Sequence, residues 1–230
     1  MGIDIGTGSE RLVGLSTMDT PHVAEWYDKG TDFKVWWRVI ARRILALGSH
    51  DARVLDIACG PGHLLMMLAS LEPRLQLTGL DISPNMLSIG RNKIEKKDLE
   101  GTMRLVEGSC YDMPLEDDSF DLVVNTMALH MMDDAPSFFE EMARVLKPGG
   151  TGYVYAFRRD PSFAGAWWFN RFLAMELKYL KKRYGVDEGT RHVVAASYTP
   201  IEVEGFLKDL AVSDFSLKIT RFSMTILLHK

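Results

Sequence analysis

Cysteine, long apolar runs and an excess of either charge are all scarce in this sequence, and each shortage excludes a class of protein. Among 230 residues there are only two cysteines, Cys59 and Cys110, and their spacing fits neither a zinc site nor a disulfide framework. No apolar stretch approaches the ~20 residues of a transmembrane helix, and no basic and then apolar leader begins the chain. A net charge of −4 argues against broad electrostatic capture of nucleic acid. We therefore expect a cytoplasmic protein without stable membrane insertion and without a nucleic-acid partner.

Composition divides the chain into an arm, an amphipathic segment and a longer body. Residues 1–20 are rich in Gly, Ser and Thr without periodicity, so we expect a flexible arm. Residues 21–47 place apolar side chains at helical spacing and predict an N-terminal helix, which Gly48 and Ser49 end. For a chain of 26.0 kDa, this length predicts one domain over residues 21–230.

The body alternates short apolar strands with amphipathic helices, which is typical of parallel strands joined by crossover helices. The last two apolar stretches are instead joined by a very tight turn, so the final strand is expected to be antiparallel. The pattern predicts an open, mostly parallel, seven-stranded α/β sheet with helices on both faces. The predicted strands are 53–57, 75–80, 102–107, 120–125, 151–157, 212–219 and 221–230, and the predicted helices are 62–71, 84–95, 135–146 and 200–210.

The stretch RVLDIACGPGHLLMML, from residue 53 to 68, interrupts a strand and a helix with a glycine-rich turn. A ligand that lies against the backbone at the end of a strand needs residues without side chains there, which Gly60 and Gly62 provide. The turn lacks both the third glycine of a dinucleotide loop and the lysine of a phosphate loop. Asp56 precedes it, and a carboxylate would repel a pyrophosphate but suit an ammonium or sulfonium ligand.

A second acid, Asp81, follows the next predicted strand directly in the stretch LTGLDISPNML. A carboxylate at the end of the strand beside the loop can accept hydrogen bonds from both hydroxyls of a ribose. Capping of the helix that begins at Ser83 or Pro84 is the alternative role. Its place 25 residues after Asp56, at the next strand end, favours the ribose role.

Four motifs in order resemble the class I S-adenosylmethionine-dependent methyltransferases. VLDIACGPGHLL is similar to their first motif and LTGLDISPNML to their second. GSCYDMPLEDDSFDLVVNTMALHMM is similar to the adenine-side and fourth-strand motifs, and RVLKPGG to the stretch before the fifth strand. The resemblance covers roughly residues 50–157 and is greatest for small-molecule enzymes, including quinone and sterol methyltransferases. It implies a Rossmann-like sheet with an antiparallel last strand, S-adenosylmethionine as cofactor and S-adenosylhomocysteine as product.

The resemblance also implies a role for each matching residue. At the methionine moiety it places Asp56, Ala58, Gly60, Gly62, Asn125 and Thr126, with Asp56 organising the ammonium. Asn125 and Thr126 would also lie beside the incoming substrate. At the nucleoside it places Asp81, which would hold the ribose, Ile82, which would pack on the adenine, and Ser109 and Cys110. Met86 and Tyr111 complete the predicted cofactor-binding set.

One position departs from the family pattern. Where the family commonly has Gly-Asp-Ala, this chain has Gly108-Ser109-Cys110. The family's aspartate accepts a hydrogen bond from the adenine amino group. Here that contact is left to the Ser109 hydroxyl or to the Cys110 backbone.

Two residues outside the glycine motifs are candidates for the site. Tyr27 lies in the N-terminal helix, which in related methyltransferases folds over the cofactor; the alternative is a partly buried core aromatic. His130 follows the fourth strand and is a candidate general base, with a polar surface residue as the alternative.

Residues 158–200 are expected to form an inserted helical cap, which together with residues 21–47 would make a lid. Their aromatic block is wider than one core-facing stripe of a helix. These residues could therefore line an acceptor pocket or pack against the edge of the sheet, and both alternatives stay open. The block consists of Trp167, Trp168, Phe169 and Phe172. The basic run behind it fits a solvated helix end or, as the alternative, a membrane-surface helix. The run consists of Lys178, Lys181, Lys182 and Arg183.

The sequence thus predicts an S-adenosylmethionine-dependent methyltransferase that acts on a small organic acceptor and binds no metal. Because the sulfonium already activates the methyl group, the protein mainly aligns donor and acceptor. Two alternatives stay open. One is a non-catalytic protein of the same fold that binds S-adenosylmethionine or S-adenosylhomocysteine. The other is an NAD-dependent oxidoreductase, which Asp56 and the missing third glycine disfavour.

Overall fold

The structure is a computed structural model that describes residue 11, residues 20–30, 34–159 and 190–230, and positions 175, 178, 181 and 182. Its elements, in chain order, are α1 (Pro21–Gly30), α2 (Lys34–Leu45), β1 (Arg53–Ile57), α3 (His63–Leu71), β2 (Gln76–Asp81), α4 (Pro84–Lys96), β3 (Met103–Glu107), β4 (Phe120–Thr126), a 3-10 turn (Leu129–Met131), α5 (Ala135–Val145), β5 (Leu146–Phe157), α6 (Thr190–Ala196), α7 (Pro200–Lys208), β6 (Asp214–Ile219) and β7 (Ser223–His229). None of the helices in these ranges has the length and apolarity needed to cross a bilayer.

Seven strands form a single sheet in the order β3-β2-β1-β4-β5-β7-β6. Strands β1 to β5 pair in parallel, whereas β7 runs antiparallel to both of its neighbours. The predicted α/β sheet with an antiparallel last strand is therefore confirmed. The chain reverses its direction of winding between β1 and β4, and the carboxyl ends of these strands flank the crevice where such sheets bind ligands.

Two apolar cores lie on opposite faces of the sheet. One packs α5 and α7 against it and includes the fully buried Phe138 and Phe139. The other packs α2, α3 and α4 and includes Trp37 and Leu65. Because β1 and β4 are covered on both faces, they appear in the sequence as nearly continuous apolar runs. Helices on both faces of the sheet are thus confirmed.

Side-chain caps determine where three helices begin. The Ser83 hydroxyl caps α4, and the Asp134 carboxylate caps α5 by accepting from Ser137 N at 3.2 Å. Thr199 and Glu202 form a reciprocal capping box at the start of α7. The start of α4 matters most for function, because this helix follows Asp81 after only two residues.

The predicted elements differ from the structure at three points. The single helix predicted over 21–47 is wrong, because α1 ends at Gly30, a residue that favours helix ends, and α2 begins at Lys34. Strand β5 begins at Leu146 rather than residue 151, because a register shift opposite Phe120 precedes the regular pairing. Helix α6 lies within the predicted helical cap 158–200 but was not predicted as a separate helix. The aromatic block at 167–172 and Arg183 lie outside the described residues, whereas Lys178, Lys181 and Lys182 are exposed helical positions.

Arg11 is the described residue of the expected arm that packs against the body. Its guanidinium lies 4.3 Å from the centre of the Tyr198 ring, and Nη1 donates to Ala196 O at 2.9 Å. Nη1 also donates to His130 O at 3.3 Å, and Nη2 lies 3.2 Å from the Asp133 carboxylate. Arg11 is therefore held in place, while the arm on either side of it, 1–10 and 12–19, lies outside the described residues.

Gly79, in the middle of β2, provides a test of the packing between the sheet and α3. A Cβ built there would lie 2.6 Å from Cys59 Sγ, 2.7 Å from Leu105 Cδ2 and 2.8 Å from Leu65 Cδ1. Gly79→Ala is expected to lower the free energy of unfolding by about 1–3 kcal/mol, because the neighbouring side chains must move apart. Gly101→Ala is the control, since a Cβ there meets nothing within 4 Å. Equal urea midpoints for the two variants would contradict this packing.

Candidate active site

The glycine-rich loop between β1 and α3 turns through left-handed backbone conformations. Ala58, Gly60 and Gly62 have φ angles of 55°, 54° and 79°. At Gly62 the left-handed conformation favours glycine, because a side chain there would be strained whatever the space around it. A non-glycine residue such as Ala58 in this region is strained, and such strain is concentrated at functional sites. The loop is thus built to leave the end of β1 free of bulk at residues 60 and 62.

Asp81 joins this loop to the end of the neighbouring strand. Its Oδ2 accepts from Gly60 N at 2.7 Å, and its Oδ1 accepts from Ser83 N at 2.9 Å. The alternative in which Asp81 caps α4 is wrong, because the N-cap of that helix is Ser83. Since a carboxylate can accept about four hydrogen bonds, one group can both brace the loop and bind ligand hydroxyls.

Asp56, the fourth residue of β1, is a buried carboxyl with only 2% of its surface exposed. Burial, followed by the negative charge of Asp81, raises the pKa of Asp56 well above its usual range. The ionised form is therefore unfavourable until a positive charge comes near. The structure brings the two predicted acids together as an anionic pocket that suits a cation.

Asn125, at the end of β4 beside β1, contributes a buried acceptor. Its Nδ2 donates to Ile57 O at 2.9 Å. The amide is assigned this orientation because a carbonyl oxygen can only accept a hydrogen bond. Its Oδ1 is buried and has no hydrogen-bond partner within the described ranges. An unpaired buried acceptor is destabilising unless a ligand supplies a donor. Thr126 follows it and is also buried.

The residues predicted at the nucleoside lie in two different environments. Ile82 is 71% exposed although it is large and apolar, whereas Met86 is buried in the first turn of α4. Ser109 Oγ accepts from Tyr111 N at 3.1 Å, and the Tyr111 hydroxyl accepts from Asp133 N at 2.8 Å. The exposed apolar side chain of Ile82 can pack against one face of a ligand's ring.

Both cysteines lie close to the acids but are poor nucleophiles. Burial, together with the charges of Asp56 and Asp81, raises the pKa of the Cys59 thiol. Burial raises the pKa of Cys110 to about 12. Because the thiolate is the reactive form, neither side chain suits covalent catalysis at neutral pH.

Helix α1 lies over the loop through Tyr27 and Asp28. Tyr27 Cε1 is 3.5 Å from a Cβ built on Gly60. Asp28 contacts Lys93 Nζ of α4, and its Oδ1 lies 3.2 Å from His63 Nε2 at the start of α3. This cluster was not predicted from the sequence. The available signals were the position of His63 directly after the loop and that of Asp28 directly after Tyr27.

His130, the candidate general base, lies in the 3-10 turn after β4. Burial, followed by the positive charge of Arg11, lowers the pKa of its imidazole to about 4. Its Nδ1 is buried without a hydrogen-bond partner among the residues that the structure describes. None of the contacts described above joins His130 to the glycine loop, so its role as a base stays a prediction.

Comparison with known proteins supports the resemblance. Residues 54–150 match the family described as "Methyltransferase domain". The chain is 37% identical over 117 residues to the demethylmenaquinone methyltransferase of Listeria welshimeri, which covers 50% of this chain and 49% of that protein. It is 31% identical over 150 residues to the enzyme of the same name from Bacillus cytotoxicus, covering 65% and 61%. The chain thus spans about half to three fifths of the length of these relatives.

Solved structures share the fold at lower sequence identity. A Methanococcus maripaludis structure assigned as an S-adenosyl-L-methionine-dependent methyltransferase superposes with a TM-score of 0.71 at 21% identity, covering 98% of this chain and 97% of that one. At this identity the likeness shows the fold alone. The resemblance to class I methyltransferases of the quinone type is confirmed, and the family match spans residues 54–150.

Asp56→Asn is expected to raise the free energy of unfolding at neutral pH. A carboxyl whose folded pKa is raised stabilises the fold fully below its unfolded pKa of about 3.9, and loses that contribution as pH rises through the folded value. The advantage of the variant should therefore grow with rising pH and vanish in acid. Urea denaturation at several pH values measures it.

Asp121→Asn is the matched control and should act in the opposite direction. Partial burial alone would raise the pKa of Asp121, but hydrogen bonds from Lys147 and from Arg53 N hold it below its usual value. Its stabilisation is present above the unfolded pKa and is lost in acid, so the variant should cost about 1 kcal/mol at neutral pH after solvent screening. If both variants changed the free energy of unfolding at neutral pH in the same direction, the unfavourable burial of the Asp56 charge would be contradicted.

Proposed function

We propose that the protein built around this methyltransferase domain transfers a methyl group from S-adenosylmethionine to a small organic acceptor. The observation that carries the proposal is the anionic pocket at the ends of β1, β2 and β4. There the charge of Asp81, which braces the loop, acts on the buried Asp56, and the buried Asn125 Oδ1 lies at the end of the adjacent strand β4. A pocket with two carboxylates and an unpaired amide oxygen favours a cationic ligand that carries N–H donors.

The residues present fit the methionine end of the cofactor. Its ammonium would bind Asp56 and Asn125 Oδ1, which removes both an unfavourable buried charge and an unpaired buried acceptor. The backbone of Ala58, Gly60 and Gly62 would follow the chain of the methionine, since that stretch offers little side-chain bulk. Each unfavourable feature of the unliganded pocket is thus matched by a group on this one ligand.

The residues around Asp81 fit the nucleoside end. Asp81 would accept the ribose hydroxyls, and the exposed Ile82 would cover the adenine, with the buried Met86 supporting that side of the site. Ser109 Oγ already accepts from Tyr111 N, so the adenine amino group would use its second lone pair or the Cys110 backbone. The departure from the family pattern therefore leaves an acceptor in place.

When bound, the cofactor supplies a methyl group on a sulfonium that is already reactive towards a nucleophile. The chain's own task is to orient the acceptor and exclude water, and such alignment can account for about 7–11 kcal/mol of a barrier. Tyr27 on α1 covers the loop, and Thr126 ends β4 on the acceptor side. His130, whose imidazole is neutral at physiological pH because its pKa is about 4, would take the proton from an acceptor that must lose one.

The proposed acceptor is a small, largely apolar molecule. Tyr27 over the loop and the pair of Trp36 and Tyr155, with ring centres 5.9 Å apart, offer aromatic surfaces at this end of the sheet. Demethylmenaquinone, the substrate in the names of the relatives, is the first acceptor to assay. A lid made of residues 21–47 and 158–200 within the domain 21–230 would select the acceptor. The cytoplasm is the proposed location.

Two other functions make different predictions. A non-catalytic protein of the same fold would bind S-adenosylmethionine without forming S-adenosylhomocysteine in the presence of an acceptor. An NAD-dependent oxidoreductase would need to accommodate a pyrophosphate beside Asp56 and Asp81, where like charges oppose it. The pocket favours the methyltransferase.

Binding of the cofactor is expected to stabilise the fold. A ligand at a hundredfold excess over its dissociation constant contributes about 2.7 kcal/mol, so S-adenosylmethionine and S-adenosylhomocysteine should both raise the thermal midpoint. NAD serves as the control and should leave it unchanged. No shift with either sulfur ligand at large excess would refute the proposed cofactor.

Asp81→Asn is expected to lower the affinity for S-adenosylmethionine by about a hundredfold, because charge-assisted hydrogen bonds are worth about 1.5–3 kcal/mol each. Calorimetry measures the affinity, and the thermal midpoint separately reports the brace to Gly60 N and Ser83 N. Asp112→Asn, at an exposed position of the neighbouring turn, is the control. An unchanged affinity in folded Asp81→Asn would assign this carboxylate to structure alone.

His130→Ala is expected to lower turnover by about 10²–10⁴-fold on an acceptor that must lose a proton, while the cofactor affinity is kept. For the wild type, the acidic limb of the pH profile of kcat should lie near the His130 pKa of about 4. Turnover of the variant equal to that of the wild type would exclude His130 as the base. So would an acidic limb of the wild-type profile that persists unchanged in His130→Ala.

A further inference from the structure

The outward side of α2 has a composition that the proposed function leaves unexplained. The buried residues of the helix, Trp37, Ile40, Ala41 and Ile44, occupy one half of its circumference. The opposite half carries exposed residues at the same helical spacing. We call this surface the α2 outer face, and it consists of Lys34, Val35, Arg38, Val39 and Arg42.

The charge of the α2 outer face is opposite to that of the whole chain. The helix sequence KVWWRVIARRIL contains no acidic residue, whereas the net charge of the protein is −4. Within the described part of the chain, no carboxylate forms an ion pair with Lys34, Arg38 or Arg42. These cations are thus concentrated on one surface, and the described residues place no carboxylate against them.

Two valines lie among these cations and are exposed to water. Val35 is 81% exposed and Val39, one helical turn later, is 45% exposed. Apolar side chains surrounded by Lys and Arg suit the boundary of a bilayer, where the apolar groups enter the acyl region and the cations reach lipid phosphates. A partner that offers only negative charge would leave both valines in water.

Helix α2 itself lies at the edge of the candidate active site. On the inner side, Trp37 stacks on His63 with ring centres 6.0 Å apart, and His63 directly follows the glycine loop. Trp36 lies against Tyr155, which pairs with Thr126 at the carboxyl end of β4. The helix therefore covers the end of the sheet where the acceptor would enter.

We propose that the α2 outer face docks the protein on the surface of an anionic phospholipid bilayer. The cations bind lipid phosphates, and Val35 and Val39 enter the interface to a shallow depth. The contact is peripheral and needs no spanning segment. It does not depend on the proposed methyl transfer; where both hold, an apolar acceptor dissolved in the bilayer is presented directly to the active site.

Vesicle flotation of the full chain tests the docking. We expect binding to phosphatidylcholine vesicles that contain about a third of phosphatidylglycerol, no binding to phosphatidylcholine alone, and weaker binding as salt is added. Absence of binding to the anionic vesicles at low salt would overturn the proposal.

Paired variants assign the binding to α2. Arg38→Gln with Arg42→Gln should weaken binding to anionic vesicles by about twenty- to thirtyfold, since each cation near such a surface contributes about fivefold. Arg91→Gln with Lys97→Gln changes the net charge equally at exposed positions on and after α4 and should bind like the wild type. Equal losses in the two double variants would overturn the assignment to α2.

Two further measurements separate a bilayer from an acidic macromolecule. Val35→Ser with Val39→Ser should weaken vesicle binding by about tenfold, because exposed side chains lose their contact with the acyl region. Unchanged binding of this variant would overturn the proposed contact. So would tighter binding to duplex DNA than to vesicles when the same Arg38 and Arg42 substitutions abolish it. Unaltered thermal midpoints show that the variants are folded.

Discussion

The rest of the site depends on two carboxylates held close together at the ends of adjacent parallel strands. Asp81 is braced by Gly60 N and Ser83 N, so the loop after β1, the end of β2 and the start of α4 all meet at one side chain. Asp56 has burial and the charge of Asp81 acting against its ionised form. The geometry that fixes the loop therefore favours the binding of a positive charge beside these carboxylates.

Without such a charge, the polar groups of the site lower the stability of the unliganded fold. A buried carboxyl with a raised pKa and the unpaired Asn125 Oδ1 are both unfavourable without a ligand. They are held in place because β1 and β4 are buried on both faces by separate apolar cores. Stability supplied by these cores is thus used to keep polar groups where binding needs them, which is a general property of functional sites.

How well a contact can be predicted from this sequence depends on how far apart its residues lie along the chain. Asp56 and Asp81 could be placed together because parallel strands bring their carboxyl ends to the same edge, so position in the pattern was enough. The division of 21–47 into two helices could not be predicted, because amphipathic spacing continues across the break after Gly30. Arg11 was missed because its partners lie 119 and 185 residues away, where no spacing rule applies.

For the same reason the sequence does not reveal the contacts that link α1 and α2 to the glycine loop. Asp28 of α1 and Trp37 of α2 both contact His63, and Lys93 fixes Asp28 from the other side. His63 begins α3 directly after Gly62, so both helices rest on the residue that ends the loop. A rearrangement of the loop must therefore move α1 and α2 with it or break these contacts. The α2 outer face belongs to the same helix as Trp37, so the contact of Trp37 with His63 joins this surface to the end of the glycine loop.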